Sequence, residues 1–227
     1  MKSVYFLSDA HLGCRSIPHD RTRERRLVRF LDGIKDKASA VYLLGDIFDF
    51  WYEYKTVVPR GYTRFLGKLS ELADRGVEVH FFTGNHDIWC GDYLVKECGV
   101  TLHTEPMTVE MGDKVFMLAH GDGLGDPDRK FRFLRAVFRN RLCQRMFSCI
   151  HPRWAVDFGL SWAAHSRLKH GVEGGDPPYL GEDKEYLVRF AKEYLKAHSE
   201  INYFIFGHRH IELDLMLTRS SRVLILG

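Results

Sequence analysis

The sequence predicts an α/β fold, because short apolar runs alternate along the chain with longer amphipathic stretches. Six continuous runs, rich in Val, Phe and Tyr, are typical of buried strands, and they lie at Val4–Leu7, Ala40–Leu44, Val77–Phe82, Val115–Ala119, Tyr203–Phe206 and Val223–Leu226. Apolar residues recur at helical spacing in three stretches, Arg21–Lys35, Tyr62–Arg75 and Asp183–His198. A chain of 227 residues, 45% of them hydrophobic, is long enough to bury one sizeable core.

Local signals predict the remaining elements. Met107–Glu110, followed by a Gly112-Asp113 pair and then by Val115, predicts a β-hairpin. Gly171–Gly181 is rich in Gly and Pro and is the clearest loop. The chain stops at Gly227 directly after an apolar run, so we expect either a truncated chain or a sheet that lacks a final strand. We expect one domain over residues 1–227.

Cysteine usage and the N-terminus favour a cytoplasmic location. The five cysteines are odd in number and irregularly spaced, unlike the disulfide framework of a secreted protein. The apolar run Val4–Leu7 is too short for a signal peptide, and no run approaches the roughly 18 apolar residues of a membrane span. Peripheral contact with a membrane stays open, and the composition points to no particular oligomeric state.

A small net charge of +3 conceals a strong asymmetry. Ten basic residues and one acidic residue lie between Arg129 and His170, which gives this segment +9 and leaves −6 on the other 185 residues. Two helices are predicted here, joined at His151-Pro152, the first with an apolar stripe at Phe131, Leu134, Phe138 and Leu142 and the second over Trp154–Leu168. A cationic amphipathic insertion at about 129–170 favours an anionic membrane surface or an amphiphilic ligand. The alternative is a core-packing insertion with a solvated basic face.

Five short polar motifs directly follow five of the predicted strands. In an open α/β sheet this is where the binding crevice lies. Their carboxylate, amide and imidazole groups suit divalent cations, and the lack of a thiolate disfavours a structural zinc site. The motifs are Asp9-Ala10-His11, Gly45-Asp46-Ile47-Phe48-Asp49, Gly84-Asn85-His86-Asp87, His120-Gly121-Asp122 and Gly207-His208-Arg209-His210.

The order and content of these motifs resemble the calcineurin-like metallophosphoesterase superfamily. The resemblance implies a four-layer α/β/β/α sandwich with two divalent ions, for which we expect Mn²⁺, at the carboxyl ends of the strands. One ion would be held by Asp9, His11, Asp46 and His210. The other would be held by Asp46, Asn85, His120 and His208, so that Asp46 bridges the two.

Such a pair of ions is suited to hydrolysis of phosphate esters and anhydrides. Two cations about 4 Å apart activate a water molecule, orient it toward phosphorus and neutralise the developing charge. The resemblance implies that His86 acts on the substrate as a general acid or transition-state donor. Asp49 is then the expected partner that sets the tautomer of His86 and raises its pKa, the alternative being a simple helix cap.

Two features narrow the resemblance to the UDP-2,3-diacylglucosamine pyrophosphatase family of lipid A biosynthesis. They are the segment GDIFDFW and the basic helical insertion that follows His120-Gly-Asp-x-Leu. This implies an amphiphilic nucleotide-sugar lipid substrate, split to UMP and 2,3-diacylglucosamine 1-phosphate, on the inner face of the cytoplasmic membrane. The implied substrate contacts are Asn85, Asp128, Ser166 and Arg167. This chain departs from the family by carrying His86 where typical members carry Arg.

Two other functions compete with this one. A metallophosphoesterase of nucleotides, cyclic nucleotides or nucleic acid would keep the metal ions, with insertion aromatics as stacking platforms for bases. Nucleic acid is not expected, because the chain outside the insertion is acidic. A metal-free interaction scaffold would have lost ligand positions, yet all seven candidate ligands are present.

Overall fold

The computed structural model describes residues 2–15, 20–169 and 178–227, without the side chains at positions 20 and 165–169. Within these residues the strands are β1 (Ser3–Leu7), β2 (Ala38–Leu44), β3 (Glu78–Phe82), β4 (Thr101–His103), β5 (Met107–Met111), β6 (Lys114–Leu118), β7 (Tyr203–Phe206), β8 (Leu213–Met216) and β9 (Arg222–Ile225). The helices are α1 (Asp20–Ile34), α2 (Thr63–Asp74), α3 (Tyr93–Cys98), α4 (Arg129–Arg139), α5 (Arg141–Ser148), α6 (Pro152–Lys169) and α7 (Tyr186–Ala197).

The strands form two sheets, and most of their pairings are parallel. One sheet has the order β1-β2-β3-β4, with all three pairings parallel. The other has the order β5-β6-β7-β9-β8, in which β5 and β8 are antiparallel edge strands. The predicted α/β class is therefore confirmed, and all six apolar runs form strands within two residues of their predicted bounds.

Successive residues of the central strands point into different apolar clusters, which explains why the runs are continuous rather than alternating. In β2, Val41 and Leu43 pack with helices α1 to α3, whereas Tyr42 and Leu44 face the other sheet. In β7, Ile205 faces between the sheets, while its neighbours pack against α7. Each sheet thus has one face against helices and one face against the other sheet.

Three short elements escaped prediction. Helix α3 and strand β4 contain only six and three residues, so neither shows a full period of apolar spacing. Strand β8 alternates half-buried and exposed residues, and its antiparallel pairing with β9 holds it in the sheet. Pairing with β3 and β9 holds β4 and β8 in their sheets.

The expectation of a two-helix insertion is wrong, because the insertion contains three helices. Asn140 adopts an extended backbone between α4 and α5, and its side chain accepts hydrogen bonds from the N–H groups of Leu142 and Cys143. This is the capping geometry that begins a new helix. As a result Leu142 leaves the predicted apolar stripe and is 66% exposed. Within the described residues, none of the helices combines the length and apolarity needed to cross a bilayer.

Candidate dinuclear metal centre

The polar motifs meet at the carboxyl ends of five parallel strands. Those of the first sheet follow β1, β2 and β3, and those of the second sheet follow β6 and β7. Backbone bonds continue the pairing into the loops, since the N–H of His11 donates to the Asp46 carbonyl at 2.9 Å. The N–H of His208 donates to the Asp9 carboxylate at 2.9 Å, which joins the first motif to the last.

One group of ligand atoms comes from Asp9, His11 and His210. The His210 Nε2 atom lies 3.0 Å from His11 Nε2 and 3.2 Å from Asp9 Oδ1. Asp9 Oδ1 is buried and has no hydrogen bond of normal geometry among the described residues. Two imidazole nitrogens aimed at one another beside an unsatisfied carboxylate oxygen form a donor set that fits a divalent cation.

A second group surrounds His120. Its Nε2 atom lies 3.3 Å from Asp46 Oδ2 and 3.3 Å from Asn85 Oδ1, and ligand atoms of Asp46, His120 and His208 lie within 4.8 Å of one another. Asp46 Oδ2 is also 3.8 Å from His11 Nε2. Asp46 therefore lies between the two groups, where a bridging ligand is required, and all seven predicted ligands come together.

The ring orientations leave the Nε2 atoms of two histidines facing inward. His120 Nδ1 lies 2.8 Å from the Leu44 carbonyl, which can only accept, so Nδ1–H donates to it and Nε2 is the ring atom directed at the cluster. His11 Nδ1 lies 3.4 Å from the buried Asp49 carboxylate. A carboxylate or carbonyl behind a ligating histidine is the usual outer support of a metal ligand.

The backbone is strained where the ligands lie. Five of the six non-glycine residues with positive φ in the described part of the chain are predicted ligands, namely Asp9, His11, Asp46, His208 and His210, with φ between 43° and 69°. Left-handed backbone is unfavourable for residues with a Cβ atom. Such conformations persist where surrounding structure enforces them, and they concentrate at functional sites.

At two motif positions only glycine fits, because a candidate ligand carboxylate lies close to the backbone. A Cβ atom on Gly84 would lie 2.2 Å from Asp46 Oδ1, and one on Gly207 would lie 2.4 Å from Asp9 Oδ2. Both distances are shorter than any real contact, so a side chain at either position would displace the carboxylate of a candidate ligand.

Electrostatics favour the metal-binding forms of Asp46 and His208. At His120, burial would lower the pKa, but the Asp46 carboxylate outweighs it and raises the pKa well above its usual value. Burial by itself would raise the pKa of Asp46, but the imidazoles of His120, His86 and His11 hold it well below its usual range. Burial, together with the charge of His120, lowers the pKa of His208 to about 4. At neutral pH the carboxylate is therefore ionised and the His208 imidazole is neutral, the states in which both bind metal.

His86 lies beside the cluster and is held by the motif of Asp49. Its Nδ1 atom donates to the Asp49 carbonyl at 2.9 Å, and its backbone N–H donates to Asp46 Oδ1 at 2.8 Å. The Asp49 carboxylate is 3.9 Å from His86 Nδ1, further than from His11. Asp49 thus contacts both imidazoles, with its carbonyl oriented on His86 and its carboxylate closer to His11.

Asp87 is a site residue for which the sequence predicted no role. It is fully buried, and its two oxygens accept the N–H groups of four residues, at distances of 2.7 to 3.3 Å: Gly84, Asp46, Ile47 and Phe48. The bonds from Asp46, Ile47 and Phe48 tie the loop after β3 to the loop after β2. Its place at the end of the Gly84-Asn85-His86-Asp87 motif was the available signal.

An apolar cavity of about 180 Å³ leads from this cluster into the insertion. Asn85 and His86 form part of its wall, and most of the remaining wall is apolar, including Phe50, Trp89, Phe131, Leu134, Phe138, Phe147, Phe158 and Trp162. Arg135 also lines it and forms an ion pair with the buried Asp122. The cavity places a hydrocarbon environment next to the candidate metal ligands.

The predicted substrate contacts have different outcomes. Asn85 lies at the cavity, as described. Asp128 is exposed and caps helix α4, accepting from the Lys130 N–H at 2.8 Å. Ser166 and Arg167 belong to helix α6, but their side chains lie outside the described residues.

Fold, ligand cluster and motif order define a metallophosphoesterase. A family model for calcineurin-like phosphoesterases matches residues 2–212, and the chain belongs to that family. The expected class of enzyme, a hydrolase, is thereby confirmed. The family depends on two metal ions, and the clusters above are the residues available to hold them.

Two relatives resemble the chain over most of its length. A UDP-2,3-diacylglucosamine hydrolase from Porphyromonas gingivalis is 46% identical over 99% of this chain and 89% of its own length. A UDP-2,3-diacylglucosamine hydrolase from Neisseria meningitidis is 33% identical over 78% of this chain and 72% of its own length. Among solved structures, a dimetal phosphatase from Danio rerio has a TM-score of 0.46 and 14% identity, covering 97% of this chain and 86% of its own.

Proposed function

We propose that the chain hydrolyses the pyrophosphate bond of UDP-2,3-diacylglucosamine to UMP and 2,3-diacylglucosamine 1-phosphate. The observation that carries this proposal is the apolar cavity that begins at Asn85 and His86 and continues between the insertion helices. A substrate with a diphosphate and two acyl chains needs a cation cluster and a hydrocarbon pocket side by side. The names of the relatives supply the substrate that meets both requirements.

The metal ligands would be the seven residues of the cluster, with Asp46 between the ions, and we propose Mn²⁺ because oxygen and imidazole donors suit it. Two such ions supply activation of water and neutralisation of phosphate charge. The protein keeps Asp9 and Asp46 ionised and holds His11 and His120 with Nε2 inward. Asn85 provides an amide oxygen at the mouth of the cavity.

His86 is positioned to donate a proton or a hydrogen bond to the substrate. Because Nδ1–H is held by the Asp49 carbonyl, the group available to the substrate is Nε2. Nε2 donates only from the imidazolium form of this tautomer, and the Asp49 carboxylate lies 3.9 Å from Nδ1. The His86 ring thus forms part of the cavity wall, and its Nε2 atom lies on the side where the diphosphate would lie.

The outer surface of the insertion would contact an anionic membrane. Phe133, Leu142, Met146 and Trp154 are 66% to 72% exposed, and basic residues such as Arg141 and Arg145 are exposed beside them. Exposed aromatic and aliphatic side chains among cations favour an interface rich in anionic phospholipid. We propose peripheral association with the cytoplasmic face of the membrane, where a diacylated substrate resides.

The catalytic proposal is tested by incubation with Mn²⁺ and UDP-2,3-diacylglucosamine in ¹⁸O-labelled water. Attack on the uridine-bearing phosphorus places the label in UMP. Bis-p-nitrophenyl phosphate, cyclic nucleotides and single-stranded DNA serve as competing substrates. Turnover of any of these without turnover of the lipid would reject the assignment and support the nucleotide or nucleic acid alternative.

A matched pair of leucines tests the cavity. Leu134 lines it, whereas Leu142 lies on the outer surface of the same insertion. Leu134→Gln should lower kcat/KM for the lipid at least about tenfold in detergent solution, because a leucine that becomes fully buried against an acyl chain contributes about 1.5–3 kcal/mol. Leu142→Gln should leave that value unchanged. Equal effects of both substitutions would contradict the proposed pocket.

A pair of methionines tests the membrane surface. Met146 on the insertion is 66% exposed, and Met216 on β8 is 60% exposed. Met146→Ser should weaken co-sedimentation with phosphatidylglycerol vesicles about tenfold, while Met216→Ser should not. Binding of the unmodified protein to pure phosphatidylcholine vesicles with equal strength would contradict the role of the basic residues.

A further inference from the structure

The loop after β7 holds two candidate ligands in unfavourable backbone conformations. His208 has φ 69° and His210 has φ 50°. Each left-handed residue with a side chain costs about 1–2 kcal/mol relative to its right-handed conformation. The loop therefore needs an external restraint to present both imidazoles to the cluster.

The residue between the two histidines forms such a restraint. Arg209 makes a bidentate ion pair with Glu185, with Nε to Oε2 at 2.9 Å and one terminal nitrogen to Oε1 at 2.8 Å. The Glu185 side chain is fully buried, and that of Arg209 is 15% exposed. Paired guanidinium and carboxylate groups in this fork geometry are strong and directional.

The glutamate is itself anchored. Glu185 directly precedes helix α7, and its Oε1 also accepts the N–H of Leu180 at 3.0 Å. Helix α7 packs on β7 through Leu187 and Ala191, which lie in the same buried cluster as Phe204. The ion pair thus connects the ligand loop to a helix that is fixed in the core.

We infer that Arg209 and Glu185 are positioning residues that hold His208 and His210 in metal-binding geometry, each histidine serving a different ion. This inference rests on the metal centre proposed above. Without the pair, residue 209 loses its tether, and the backbone on either side can relax toward right-handed conformations. Each of the two ions would then lose one correctly placed histidine ligand.

The test is Mn²⁺ affinity, measured by electron paramagnetic resonance of free Mn²⁺ in the absence of substrate. Arg209→Gln should weaken the apparent Kd about 10- to 100-fold, the usual effect of removing a group that supports a metal ligand. Glu185→Gln should have a similar effect. The Mn²⁺ affinity of the double variant should be no lower than that of the single variant with the lower affinity, because both substitutions break the same interaction.

Arg222→Gln is the matched control. Arg222 lies on β9, next to β7, and forms an exposed ion pair with Asp214 at 3.1 Å. Its loss should leave the Mn²⁺ Kd unchanged. If Arg209→Gln does not fold, as judged by circular dichroism of the metal-free protein, Arg209→Lys replaces it. Lysine keeps the charge but not the fork, so affinity should fall several-fold.

Three results would overturn the inference. They are a folded Arg209 variant with unchanged Mn²⁺ affinity, additive losses in the double variant, and a raised KM with unchanged metal affinity, which would make Arg209 a substrate contact. Failure of the unmodified protein to bind Mn²⁺ would instead refute the metal centre itself. The two failures are therefore distinguishable.

Discussion

Substituting the helix α6 glycine that packs on Phe50 tests how the insertion sits on the core. A Cβ atom on Gly159 would lie 2.2 Å from Phe50 Cε2 and 2.4 Å from Cδ2. Ordinary carbon–carbon contacts are about 3.5–4.0 Å, so Gly159→Ala forces helix and ring apart by at least about 1.3 Å. Both residues line the apolar cavity, so the substitution changes its shape.

The expected magnitude follows from two opposing effects. Alanine in place of glycine within a helix is favourable by about 1 kcal/mol. Overpacking of a closely packed site costs about 1–3 kcal/mol. The net change in the free energy of unfolding for Gly159→Ala should therefore lie between about 0 and −2 kcal/mol.

Gly67 offers the matched control. It lies within helix α2, and a Cβ atom there would meet nothing within 4 Å. Gly67→Ala should raise the free energy of unfolding by about 1 kcal/mol. Urea denaturation of both variants at one pH gives the comparison, and kcat/KM for the lipid should fall for Gly159→Ala alone. A Gly159→Ala protein stabilised as much as Gly67→Ala, with unchanged lipid turnover, would refute the described packing of α6.

Four further predictions follow from the same structure. Asp46→Ala should reduce turnover of the lipid and of bis-p-nitrophenyl phosphate more than about 1000-fold, because both ions lose their shared ligand; near-normal activity on either substrate would contradict the bridging role. Mn²⁺ at about 100 times its Kd should add about 2.7 kcal/mol per site to the stability of chelator-treated protein, measured as a rise in Tm, and an unchanged Tm would argue against binding. Arg139→Ser removes an ion pair with the exposed Glu105 and should weaken turnover of the lipid but not of the small diester. Arg135→Ser should impair turnover of both substrates, because it leaves the buried Asp122 unpaired beside His120. Equal effects of the two substitutions on both substrates would contradict this distinction. Burial and the neighbouring His80 lower the pKa of His103, so its contribution to stability is complete above pH 6.5 and is lost as pH falls toward the folded-state pKa. His103→Gln should therefore flatten the fall in Tm between pH 7.5 and 5.5. An unchanged slope of Tm against pH would contradict this prediction.

The sequence by itself determined the fold class and the residues of the candidate metal cluster. Buried strands must be apolar on both faces, which is visible as continuous runs such as Ala40–Leu44. Ligands must follow such strands to meet at one edge of a sheet, which is why Asp46 and His120 were recognisable from their positions. The basic, aromatic character of the insertion is likewise a property of composition alone.

Only the tertiary structure showed the features that depend on contacts between residues distant in the sequence. Asn140 divides the first predicted helix of the insertion because its side chain caps a new one, a competition that apolar periodicity does not reveal. Asp87 acquires three of its four backbone partners only when the loops after β2 and β3 meet. Glu185 pairs with Arg209, which is 24 residues away in the sequence. The partner of a buried charge depends on which loops the packed core brings together, and local sequence does not show this.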